Sequence, residues 1–238
     1  MHGITDRLRA TGGFSNVLLS IGGGGLIKNQ HNIDPGHSVS DEDFMALYFR
    51  AYGANYGPSS TSLTSPILTS LGKLVEGIGA SGIDVDMEAL FFSYPDLAGG
   101  VSLLSEWALH QGVQLTWTPY EVQQFWESLR KSTSLPLSWA NIQPPAWSGN
   151  PPALTSWAAS FNLPVGSIVA GFDNTDGPIS PAQIQQSLAE CVKQGVNPGG
   201  AYPWTYDALY SPPTWSPKEM ATAMTNGLAG KLPADDVS

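Results

Sequence analysis

The chain of 238 residues is long enough to bury a sizeable core, and it reads as a single domain over residues 1–238. Its formal net charge is −10, with 10 Lys and Arg scattered rather than clustered, which argues against a nucleic-acid partner. No apolar run reaches the ~18 residues of a membrane span, and the single cysteine, Cys191, rules out an intrachain disulfide.

Short β-rich runs alternate with longer helical patterns, with 26 Gly and 19 Pro punctuating the connections. Residues 17–21 read as a strand running into a glycine loop. Ser40-Asp41-Glu42-Asp43 opens a helix to about Tyr56, 58–62 break the chain, and 66–77 form a second helix. A strand follows over 82–88, then a helix over 97–111 and a strand over 113–118. The same alternation continues with a helix at 122–131, a strand at 137–142, a helix at 152–161 and a strand at 168–172. It closes with a helix over 181–195 opened by Pro181, a strand over 201–205 and a helix over 217–228. Strands alternating with helices predict an α/β fold, a parallel sheet with helices packed outside it. Trp107, Trp126 and Trp157 fall on helical patterns and are expected in the core, as is Cys191.

The stretch 82–88 carries the chemistry. Side chains alternate along a strand, so Asp84, Asp86 and Glu88 share one face while Ile83, Val85 and Met87 face an apolar layer. Three carboxyls in a row repel one another. That repulsion raises the proton affinity of one group beside another that stays ionised, as general acid catalysis requires. Two other readings use the same residues. Acids at alternate positions suit the solvated face of an edge strand, and they suit an oxygen-rich calcium or magnesium site. The tight connection 77–82 and the lack of EF-hand spacing weigh toward the acid–base reading.

Ser81-Gly82-Ile83-Asp84-Val85-Asp86-Met87-Glu88 resembles the Asp-Gly-x-Asp-x-Asp-x-Glu signature that ends the fourth barrel strand of the family 18 glycoside hydrolases, the chitinases and their relatives. Ser81 departs from the first Asp and Met87 from the frequent Trp. A second family motif, Ser-x-Gly-Gly of the third strand, is matched in order by Ser20-Ile21-Gly22-Gly23. Gly200-Ala201-Tyr202-Pro203-Trp204 resembles Gly-x-Met-x-Trp of the last strand, with Trp204 as the floor under the scissile sugar and Tyr202 in place of Met. On the sixth strand Gln143 matches the polar position, but Pro145 stands where the family has a Tyr. Asn141 and Gln143 become candidates to hydrogen-bond substrate, and Tyr120 or Tyr202 a candidate for the missing hydroxyl.

The resemblance implies an incomplete (β/α)8 barrel of the TIM type, with about six parallel strands in this chain and the first two βα units outside it. It implies one catalytic domain cleaving β-1,4 N-acetylglucosamine linkages in chitin or its oligomers, by a substrate-assisted retaining route. Glu88 would be proton donor, Asp86 would hold the substrate's acetamido N–H, and Asp84 would tune Asp86. No metal or organic cofactor is implied. The alternative is a catalytically weak or inactive protein that binds chitooligosaccharides. A secreted location is expected, although 1–7 carry no signal-peptide apolar stretch. An incomplete barrel also exposes the edges of its outer strands, which predicts that they are covered, by a homodimer paired along them or else by residues 1–13 and those after Pro213 folding over the gap.

Overall fold

A computed structural model describes residues 5–6, 10, 15–22, 66–86, 95–132, 137–173, 179–204 and 215–233. The expected helix after Ser40 and the position of Glu88 lie outside these residues. Six strands are ordered β1 to β6 as they occur along the chain, in an α/β fold of the incomplete (β/α)8 type. The chain groups into two compact units, Met1–Thr118 with Ser128–Ser138, and Pro119–Glu127 with Trp139–Ser238.

The first unit contains β1 (Leu18–Gly22), α1 (Pro66–Ile78), β2 (Gly82–Asp86), α2 (Pro95–Gln111) and β3 (Gln114–Trp117). β2 is parallel to both neighbours, with Leu18 and Gln114 each level with Gly82. Parallel strands need a crossover, and helices supply it. Helix α1 ends at Gly79, whose φ of 69° lets the chain reverse while its amide donates to Glu76 and that of Ala80 to Val75. The next glycine is required for a different reason. A Cβ at Gly82 would lie 2.1 Å from the Gln114 carbonyl oxygen, so only glycine lets β2 and β3 pair at this point. Ile83 and Val85 are fully buried, and the register sets Leu115 and Trp117 beside them on the same face. Val101, Leu104, Trp107 and Ala108 of α2 are buried too, each large side chain contributing roughly 1.5–3 kcal/mol.

The second unit contains β4 (Trp139–Ile142), α4 (Pro144–Trp147), α5 (Pro151–Phe161), β5 (Ile168–Phe172), α6 (Pro181–Lys193), β6 (Gly200–Pro203) and α7 (Pro217–Leu228). Helix α3 (Gln123–Ser132) falls across the division between units. β4, β5 and β6 are parallel, with Ile142 level with Ala170 and Gly171 level with Tyr202. Ser180 and Ser216 cap α6 and α7 with complete capping boxes, closed by Gln183 and Glu219. Trp126, Trp157 and Cys191 are buried as expected.

The short helix α4 has no counterpart among the elements expected from the sequence. It begins directly after β4, with prolines at its first two positions where no amide donor is required. Pro145 therefore sits in a helical turn rather than on the strand, and it is exposed.

Candidate active site

Asp84 and Asp86 end β2 on one face, and both are buried. β2 is paired on both sides, so it is no edge strand, and the solvated-face reading of these acids fails. The acids share the face opposite Ile83 and Val85, which are fully buried. Asp84 is surrounded by hydroxyls. Thr118 Oγ1 donates across both carboxylate oxygens at 2.8 Å. Thr116 Oγ1 donates to Oδ1 at 2.5 Å, and Ser20 Oγ approaches Oδ2 at 3.3 Å. Ser20 and Thr116 are the register partners of Asp84 on β1 and β3. Among the described residues no group of three His, Cys, Asp or Glu side chains comes together as a cation site would need.

Thr116 and Thr118 are not among the residues the sequence singled out. Their signal is present, because Leu115-Thr116-Trp117-Thr118 alternates polar and apolar in the same sense as the acids of β2. Glu88, the third acid, lies outside the described residues.

The remaining candidates belong to the second unit. Gln143 follows β4 immediately and is fully buried. Asn141 lies on β4, where its amide oxygen accepts the Trp139 indole N–H at 3.0 Å. Tyr202 is on β6, and its ring crosses Gly171 of β5. A Cβ on Gly171 would come within 2.8 Å of Tyr202 Cζ and Oη and of the Ile142 carbonyl oxygen. The phenol oxygen and the Ile142 carbonyl, the last of β4, thus both border the space over Gly171. Trp204 follows β6, is partly exposed, and is tied to β5 by its amide donating to the Phe172 carbonyl at 2.7 Å. All four residues stand at or just past the carboxyl ends of parallel strands, where barrel enzymes carry their chemistry.

No protein-family model matches the chain, and a search of curated proteins returns no significant match. Solved structures do match. The catalytic domain of a family GH18 chitinase from the fern Peteris ryukyuensis aligns at 16% identity and a TM-score of 0.53, over 67% of this chain. The chain spans 61% of that domain. An endo-beta-N-acetylglucosaminidase from Cordyceps militaris aligns at 14% identity and a TM-score of 0.53, covering 92% of this chain and 70% of its own. The chain has the fold of these two enzymes. In that fold β1 to β6 run in the order expected from the Ser-x-Gly-Gly strand to the Trp204 strand.

Proposed function

We propose that this chain is a glycoside hydrolase acting on β-1,4-linked N-acetylglucosamine, in chitin or its oligomers, through the substrate-assisted retaining route. One observation carries the reading: a buried carboxyl pair, Asp84 and Asp86, ends the second strand on one face, and Glu88 follows at the same spacing. In this reading Glu88 protonates the glycosidic oxygen and later deprotonates water. Asp86 accepts the acetamido N–H and stabilises the cationic ring that forms when the acetamido oxygen attacks the anomeric carbon. Asp84 supplies negative charge behind it. Trp204 lies under the sugar, Gln143 and Asn141 bond it, and the Tyr202 phenol takes the place of the tyrosine that Pro145 lacks. The fold neighbours, a chitinase and an endo-beta-N-acetylglucosaminidase by description, support the substrate class.

The test is release of chromophore from an N-acetylchitobiose glycoside. Wild type is expected to turn over, and Glu88→Gln to lose at least a hundredfold in kcat, about 2.7 kcal/mol of barrier, with its fold intact. Retention of more than about a tenth of wild-type kcat would remove Glu88 from the role of acid. The second reading, a binding protein with weak or no catalysis, is favoured by Pro145 in place of a hydroxyl donor. It predicts retention on chitin beads with no turnover by the wild type.

A further inference from the structure

Asp84 is held from both neighbouring strands. Ser20 of β1 and Thr116 of β3 are level with it, and Thr118 follows directly after β3. The two threonine hydroxyls engage Oδ1, and that of Thr118 reaches Oδ2 as well. A hydroxyl has one proton to give, and a carboxylate has no proton of its own, so the pairing is best satisfied when Asp84 is ionised. Hydrogen bonds to an ionised acceptor are stronger than those to a neutral one, which favours the anion, while burial of Asp84 opposes it. Both threonines are themselves buried, so water does not compete for their protons.

We propose that Thr116 and Thr118 are positioning residues that hold Asp84 as a fixed, oriented carboxylate, so that it acts as a static negative charge behind Asp86 and not as a proton carrier. The inference rests on the reading of Asp84 and Asp86 as members of the acid–base motif. Among the described residues, Asp86 is the titratable group on the same strand face. β1 and β3 bring Ser20, Thr116 and Thr118, none of which titrates. Glu106 and His110 of α2, the helix packed on β2 and β3, are exposed to solvent. With Asp84 anchored as an anion, its charge stands one pleat behind Asp86 on the same strand face.

The experiment follows the side-chain carboxyl of Asp84 by carbon-13 NMR in the full chain labelled at aspartate, with Asp84→Asn as the assignment. Thr118→Val keeps the side-chain shape and removes the hydroxyl. In this variant Asp84 is expected to titrate about one pH unit higher than in wild type, and Thr118→Ser to restore the wild-type curve. Turnover is read in parallel, where Thr118→Val should lower kcat about tenfold with KM within about twofold, again rescued by serine. Should Thr118→Val not fold, Thr116→Val carries the same carboxyl readout, since it leaves the other hydroxyl in place. An Asp84 titration unchanged in a folded variant of either threonine overturns the proposal. If wild type shows no hydrolysis, the enzyme reading fails while the carboxyl titration still decides this one.

Discussion

Gly171 is a single-residue device for placing a phenol. Its missing Cβ leaves room for the Tyr202 ring and for the Ile142 carbonyl, both of which a methyl would meet at 2.8 Å. Gly171→Ala is therefore expected to destabilise the chain by about 1–3 kcal/mol, read as a lower urea midpoint. Part of the loss belongs to the phenol and part to the backbone carbonyl, and a double-mutant cycle separates them. Adding Tyr202→Ala should recover the phenol's share, leaving a coupling of opposite sign to the single losses. Strict additivity of the two changes would mean that the ring does not rest on Gly171. The carboxyls of β2 show the same dependence on single neighbours, because Asp84 has its hydroxyl partners 32, 34 and 64 residues away in the chain.

Two helical glycines look alike in sequence and should respond oppositely to alanine. Gly77, in the last turn of α1, faces open space, and a methyl there would meet nothing within 4 Å. Gly227, in the last turn of α7, would put a methyl 2.7 Å from the Gln185 carbonyl oxygen and from Leu188 Cβ, both on α6. Alanine gains up to ~1 kcal/mol over glycine in a helix interior. At Gly77 nothing opposes that gain, so Gly77→Ala is expected to raise the melting temperature. At Gly227 the intrusion costs about 1–3 kcal/mol and outweighs it, so Gly227→Ala should lower the melting temperature. The seam between α6 and α7 is thus set by a glycine as much as by its apolar partners Leu188, Met220 and Ala223. If both variants moved in the same direction, helix propensity and not the close approach would be governing Gly227.

At the scale of the whole chain, Cys191 reports on the second unit. Its thiol is fully buried on α6, and burial pushes its pKa from 9.0 up to about 11. The folded state keeps this proton where the unfolded chain loses it. The stability it contributes is therefore complete below pH 9 and declines as pH rises toward 11. Urea midpoints at pH 8 and pH 10.5 should show a smaller alkaline loss in Cys191→Ala than in wild type; equal losses would mean that the thiol is not shielded. The strand order supplies a second prediction. Among the described residues β1 pairs only with β2, and β6 only with β5. Unpaired strand edges recruit other strands, so this 238-residue chain is expected to self-associate, as a dimer at micromolar concentration by light scattering. A monodisperse monomer with slowly exchanging β1 amides would show instead that the chain covers its own edge.

Local chemistry is enough to read much of this protein from its sequence. Ser-Pro followed by Gln183 or Glu219 announces the starts of α6 and α7, because a capping box is satisfied within four residues. Period-two alternation places Asp84 and Asp86 on one face of β2 before any partner is known, and apolar runs place the strands within a residue or two of their bounds. What alternation cannot say is what that face looks at. A solvated edge and an enclosed pair of acids have the same pattern, and only the pairing of β2 with strands on both sides decides for burial. The hydroxyls on Asp84, the phenol over Gly171 and the helical turn that takes Pro145 off the strand are likewise decided by tertiary structure. Each depends on residues far apart in the chain, or on competition between a strand end and a proline-started helix, and local propensity does not measure either.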